Sequence, residues 1–204
     1  MSVVVVPATA DRFGDVAALL APRDPDAPAC WCLYYRCTST QFNRLKGAER
    51  PAALRSLCER EVAPGVLAYL DGQVVGWCAL GPRAEMGRLQ RSRTIPAVDD
   101  APVWSVVCFV VRPGFRRRGV AAALLDGAIA YAAEHGATVL ESYPIDTEGS
   151  RVSGAFLFVG TTSMFERAGF VRLVETSAHS AGRSRWLMRL DLAAEATPTS
   201  PHRG

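Results

Sequence analysis

Three arginines and a glycine, Arg116-Arg117-Arg118-Gly119, stand between an apolar run and a stretch with helical spacing. The first turn of a helix holds amide N–H groups that have no intrahelical acceptor, and that end of the helix carries partial positive charge. A phosphate is a suitable guest for such a place. Gly119 lets the backbone approach it without a Cβ in the way, and the flanking arginines strengthen the field. Arg116 to Ala121 is therefore expected to form an anion site. The plainer alternative is a solvated basic turn; strand, turn, glycine and helix in that order argue against it.

A second group of reactive residue types is Cys30, Cys32 and Cys37, whose short spacing invites a zinc reading because thiolates can share that ion. No fourth ligand stands near them, so no metal is expected. Cys58, Cys78 and Cys108 lie in apolar segments, where a reduced cysteine behaves as a small hydrophobe. Buried or pocket-lining thiols are the expectation for all six, with zinc, redox and disulfide roles behind.

The elements that must position these residues follow from periodicity. Val3–Val6 reads as a strand rather than a signal peptide, and Phe13, Val16, Ala17 and Leu20 recur at helical spacing after Thr9-Ala10-Asp11. Cys30-Trp31-Cys32-Leu33-Tyr34-Tyr35-Arg36 is an aromatic cluster placed in or beside a short helix. Pro51 suits the first turn of a helix running to about Val62. Asp71-Gly72 separates two apolar runs and predicts a primed hairpin turn. After the basic stretch Gly81 to Pro102, Val103–Val111 is apolar enough for a central strand buried on both faces. A helix from Gly119 to Glu134, a strand Val139–Tyr143, a helical segment Ala155–Ala168 and strands Phe170–Glu175 and Arg185–Leu192 complete the order. The fold class is α/β: a mixed, mostly antiparallel sheet of six to seven strands flanked by helices. One domain over residues 1–192 is expected, with 193–204 a disordered tail.

Composition narrows the partners. Of the 204 residues 49% are apolar and 21% charged, and the net charge of +3 is too small to argue for nucleic acid. No run approaches a membrane span, and a cytoplasmic protein is expected.

Arg116-x-x-Gly119-x-Ala121 after an apolar strand resembles the pyrophosphate-binding signature of the GCN5-related N-acetyltransferases, the GNAT superfamily. Val111-x-Pro113-x-Phe115 is similar to that family's approach to the signature, and Met164-Phe165-Glu166-Arg167-Ala168-Gly169-Phe170 resembles its late helix-to-strand element. The resemblance implies acetyl-CoA as cofactor, a small-molecule or peptide amine as acceptor, and a homodimer as one assembly the family uses. It places the pyrophosphate on the amides from Arg117 through Gly119 and Val120 to Ala122, with Arg116 and Arg118 beside them, and the pantetheine arm along Phe109, Val110 and Val111. The amide near Phe109 would face the thioester carbonyl, where a preorganised donor stabilises developing negative charge.

The chain departs from the family where proton transfer is concerned. Ser105 stands where several members carry a glutamate, and a hydroxyl is a poor base without help. Glu141 on the following strand is the substitute, against the plainer reading of an ion-paired structural glutamate. Phe165 occupies the place of a family tyrosine that protonates the leaving thiolate, which leaves Tyr143 as the candidate acid. Trp31, Tyr34 and Tyr35 are the expected acceptor-site wall, or else core packing; His135 reads as a helix-end residue. The alternative to an enzyme is a non-catalytic acyl-CoA-binding or sensing module. An RNA-binding protein, suggested by the Arg83–Arg93 and Arg112–Arg118 clusters, lacks an aromatic reading motif and ranks last.

Overall fold

The computed structural model of the chain describes residues 2–24, 27–147, 149–150, 152–153 and 157–193. The expected tail from 194 onward and Ala155 at the start of the expected late helix lie outside them.

The elements run β1 (Val3–Pro7), α1 (Phe13–Leu20), α2 (Ser39–Arg44), α3 (Glu49–Cys58), β2 (Gly65–Leu70), β3 (Gln73–Pro82), α4 (Gly87–Gln90) and β4 (Trp104–Val111). They continue with α5 (Val120–Glu134), β5 (Val139–Ser142), α6 (Thr162–Arg167), β6 (Val171–Ser180) and β7 (Arg183–Asp191). The seven strands form one sheet in the order β1-β2-β3-β4-β5-β7-β6. Every neighbouring pair is antiparallel except β4 and β5. Asp71 and Gly72 both take positive φ, 51° and 77°, in the expected β2–β3 turn.

One face of the sheet is covered by α5, which buries Val120, Leu124, Leu125, Ala128, Tyr131 and Ala132. The helix lies close because Gly76 on β3 has no side chain: a Cβ there would sit 2.9 Å from both Leu124 Cδ1 and Val120 Cγ1. The opposite face packs Trp77, Ala79, Val107 and Leu187 against Val16 of α1, Leu54 of α3 and the segments around Tyr35 and Leu89.

Two features of β4 position the site. It pairs with β5 only at Trp104, Ser105 and Val106, whereas its pairing with β3 continues to Val111. Its edge toward β5 is therefore left open from Val107 onward. Val107 is also an extra residue in the register, since Leu80 pairs Val106 and Ala79 pairs Cys108. Such a bulge re-aims the side chains that follow it, so that Cys108 and Val110 turn to the α1 face with Val107.

Some boundaries differ from expectation. Cys30–Arg36 forms turns beside the short helix α2, the second of the two placements expected, with Trp31 and Cys32 at φ 48° and 51°. That helix starts only at Ser39, where Thr38 and Gln41 complete a capping box. α3 ends at Cys58, short of Val62. The late helix is α6 alone, capped by the Thr161 side chain accepting from the Met164 N–H, and preceded by a 3-10 turn at Leu157–Val159. Among the described residues, no helix is long and apolar enough to cross a membrane.

Candidate functional site

The residues expected to form an anion site lie in the loop between β4 and α5 and the first turn of that helix. Arg117 and Gly119 both lie in the left-handed region, at φ 59° and 79°, a backbone path that turns successive N–H groups toward one side. The first intrahelical bond of α5 runs from Ala123 N–H to the Gly119 carbonyl at 3.0 Å. The amides of Val120, Ala121 and Ala122 precede it and have no intrahelical acceptor. A Cβ on Gly119 would meet nothing within 4 Å, so the space beside this turn is open. Arg116 closes the loop by donating Nε to the Val111 carbonyl at 3.2 Å, and the Arg118 guanidinium stands 5.7 Å over the Phe115 ring.

Upstream of this cradle, Phe109, Val110 and Val111 lie on the open edge of β4, with the Phe109 ring against Phe165 at 6.1 Å. On the α1 face Cys108 and Val110 floor a cavity of about 390 Å³ walled by Leu19, Leu20, Cys30, Trp31, Cys32, Tyr34, Tyr35 and Phe158. The structure thus brings the three expected aromatic residues together against β4. Their loop is tied down by Arg36, whose Nη2 donates to the carbonyls of Pro64 at 2.9 Å and Leu80 at 2.6 Å. The Trp77 indole N–H donates to Cys32 Sγ at 3.1 Å, and Cys32 and Cys108 sulfurs are 3.6 Å apart. Contact with Cys108 and burial hold the Cys32 thiol well above its ordinary pKa. It is a packed thiol at neutral pH. All six cysteines are free, and among the described residues no group of three or more His, Cys, Asp or Glu is placed to hold a metal.

Tyr34 and Tyr35 also wall a second, larger cavity of about 540 Å³. Arg88, Arg91 and Arg185 line it together with Ser92, Thr94 and the residues of the Thr38–Thr40 turn. Arg88 braces this wall: its Nε donates to the Tyr34 carbonyl at 2.7 Å and its guanidinium lies 4.0 Å over the Tyr34 ring.

The three residues expected to handle protons are together, but sealed. Ser105 and Glu141 are register partners across β4 and β5, and Ser105 Oγ lies 2.9 Å from the Tyr143 hydroxyl. That hydroxyl donates to Glu141 Oε2 at 2.8 Å. Glu141 Oε2 also takes Arg83 Nη1 at 3.2 Å, and Oε1 takes Arg189 Nε at 2.8 Å and Nη2 at 2.7 Å. Arg83 reaches in from the Gly81–Pro102 segment and spans to the Ile95 carbonyl at 2.8 Å, while Arg189 extends to Asp99. Glu141 is 1% exposed and neither it, Ser105 nor Tyr143 lines either cavity. Burial and the neighbouring Glu141 carboxylate push the Tyr143 phenol far above its ordinary pKa, which weakens it as an acid. The geometry is that of an ion-paired strut fastening the Gly81–Pro102 segment to β5 and β7. His135 caps α5, with Nδ1 2.8 Å from the Tyr131 carbonyl.

Sequence reasoning missed the parts played by Arg83, Arg185, Arg189 and Phe158, whereas Cys108 lines a cavity as expected of these thiols. No local pattern in the sequence marks these arginines as buried, since β7 also carries Arg183, Ser184 and Asp191.

Residues 29–149 match the model of a family described as the acetyltransferase (GNAT) family. No curated protein sequence matches the chain. Among solved structures, a histone acetyltransferase HPA2 and related acetyltransferase from Corynebacterium glutamicum is 19% identical with a TM-score of 0.53, covering 98% of this chain and 100% of its own. The polyamine N-acetyltransferase of Drosophila melanogaster is 14% identical with a TM-score of 0.53, covering 94% and 100%. The NatC complex bound to Gag peptide and CoA includes a chain 14% identical with a TM-score of 0.54, covering 94% and 99%. At these identities the likeness is one of fold.

Proposed function

The chain belongs to the acetyltransferase (GNAT) family, and from that premise we propose that it transfers an acetyl group from acetyl-CoA to a primary amine by direct attack of the amine on the thioester. The observation that carries this reading is the opening of β4 away from β5 after Val106, directly upstream of the left-handed loop and the free first-turn amides of α5. The cofactor fits these residues on their own chemistry. Arg117 to Ala122 offer backbone donors, a Cβ at Gly119 would protrude into the open space beside them, and Arg116 and Arg118 add positive charge. The open edge at Phe109, Val110 and Val111 would hold the pantetheine arm. Acetyl-CoA supplies an acyl group on a thiolate leaving group: the C–N bond forms, the C–S bond breaks, and the amine's proton departs as the thiolate gains one.

The acceptor amine then belongs in the apolar cavity on Cys108 and Val110, with Trp31, Tyr34 and Tyr35 orienting it and excluding water. Its proton leaves to water, because Glu141 has both oxygens engaged by guanidinium groups and Tyr143 is buried. Ser105, Glu141 and Tyr143 act as positioning residues that hold the acceptor wall. Polyamine is the acceptor named for the Drosophila protein; three arginines around the larger cavity argue against a polycation here. We take residues 1–192 as one domain, and six unpaired cysteines fit a reducing compartment such as the cytoplasm. The state of assembly, a homodimer included, is open to light scattering.

The engaged glutamate also favours a second reading, a module that binds acyl-CoA without turnover. Calorimetric titration with acetyl-CoA, followed by a thiol-release assay over a broad panel of amines, separates the two. Micromolar binding with amine-dependent thiol release supports the enzyme. Binding without release over the whole panel selects the module, and no binding by folded protein overturns both.

A further inference from the structure

The sheet face behind the acceptor wall carries three guanidinium groups, Arg83 and Arg185 buried and Arg189 half-buried, and among the described residues two of them have a counter-charge. Arg83 and Arg189 share Glu141. Arg185, on β7 and 6% exposed, has no carboxylate partner among the described residues. Its Nε donates to the Tyr143 carbonyl at 2.7 Å and its Nη1 to the Tyr35 hydroxyl at 2.7 Å. Its Nη2 is buried with no hydrogen-bond partner. A buried cation with an unsatisfied donor is a costly arrangement that native proteins rarely keep without a use.

The surroundings indicate the use. Arg185 lines the larger cavity, to which Arg88 and Arg91 add positive charge and Ser92 and Thr94 add hydroxyls, while none of the lining residues is acidic. That cavity shares Tyr34 and Tyr35 with the apolar one on Cys108 and Val110. A molecule seated along this wall would place one end at the open edge of β4 and the other at Arg185.

We propose that the acceptor is a small amino carboxylate, its amine held at Cys108 and Val110 and its carboxylate received by Arg185 Nη2. The inference rests on the acetyltransferase reading above and adds the class of acceptor. A carboxylate suits the site better than a doubly charged phosphate, because one guanidinium nitrogen is unpartnered at depth and Arg88 is already committed to Tyr34 and to Ser39 at 2.9 Å. Tyr35 sets the distance between the two ends, so chain length between amine and carboxylate is selected as well.

The test is a series of α- to ε-amino acids, each paired with its primary amide, assayed for acetyl-CoA-dependent thiol release. At the preferred length the carboxylate should exceed its amide by roughly 10- to 100-fold in kcat/KM, the scale of a charge-assisted hydrogen bond at a buried site. In Arg185→Met that ratio should fall toward one, and Arg185→Lys should restore part of it. Acetyl-CoA titration of each variant reports whether the fold and cofactor site survive. Binding of the N-acetylated acids against their N-acetylated amides, measured in parallel, reads the pocket even if no amine turns over. Amides or simple alkylamines used as well as the acids would overturn the proposal while leaving the acetyltransferase reading intact. Preference for aminoalkylphosphonates would overturn the choice of anion. Absence of acetyl-CoA binding would instead strike at the reading on which it rests.

Discussion

Replacing Glu141 with glutamine separates a catalytic from a structural glutamate at little steric cost. The carboxylate sits between Arg83 and Arg189, at 3.2 and 2.7 Å, with Glu141 1% and Arg83 8% exposed. Glutamine keeps the volume and one acceptor oxygen but removes the charge, and its amide nitrogen faces a guanidinium in place of an oxygen. Arg189 retains Asp99; Arg83 is left as a buried cation held only by carbonyls and the Tyr143 hydroxyl. Removing one partner of a buried pair typically costs about 3–5 kcal/mol, which for a chain of this size is a fall in Tm of about 6–20 °C. Urea and thermal unfolding of wild type and Glu141→Gln measure this directly, with thiol release recorded well below both midpoints. The expected outcome is a large loss of stability and a modest change in kcat. A variant with wild-type unfolding midpoints and kcat reduced a hundredfold or more would refute the argument and make Glu141 the base.

Gly119→Asn keeps a residue that tolerates the left-handed region while filling the space beside the turn. Acetyl-CoA should bind it at least about tenfold more weakly, with Tm lowered only slightly; unchanged affinity in calorimetry would move the pyrophosphate elsewhere. Asp99 is held at about 2, below its usual 3.8, chiefly by the hydrogen bonds from Arg189. A depressed carboxylate contributes stability above its unfolded pKa and loses it as pH falls through the folded one. Wild type should therefore exceed Asp99→Asn slightly at neutral pH, with the gap closing between about pH 4 and 2; a gap that persists at pH 2 contradicts the pairing. For the reaction itself, kcat/KM should rise with pH toward the acceptor amine's own pKa. Exchanging the amine for a less basic one should shift the break by the same interval, whereas a break that stays in place reveals a base on the protein.

The strand–turn–helix that carries Arg116 to Ala121 was legible in the sequence because its signals are local. Arg116 to Gly119 joins strand to helix within a few residues, and a glycine at positive φ is the direct consequence of that turn. The hairpin at Asp71-Gly72 and the apolar β4 were readable for the same reason. What could not be read was the direction faced by charged side chains in β7. A strand written Arg-Ser-Arg-Trp-Leu-Met-Arg-Leu-Asp suggests that its arginines point to water, since period-two alternation normally sends charge outward. Here Arg185 and Arg189 point the other way, beneath the aromatic loop and the Gly81–Pro102 segment. Their burial depends on Glu141 and Tyr143, more than forty positions away in the chain, and no periodicity encodes such a partner.

The same long-range dependence sets the surroundings of Ser105, Glu141 and Tyr143, which no local motif encodes. Glu141 stands at the strand position where a working carboxylate would be sought, yet it is the counter-charge for two arginines that no local pattern announced. Once those arginines are placed, the carboxylate is fully occupied, and among the described residues Arg185 on β7 is left without a carboxylate partner and with Nη2 unpaired. Charge balance on the sheet thus transfers the functional question from the glutamate to the arginine. Glu141 fastens the Gly81–Pro102 segment to β5 and β7, and Arg185 on β7 holds the buried, unpartnered donor to which the proposed acceptor's carboxylate would turn.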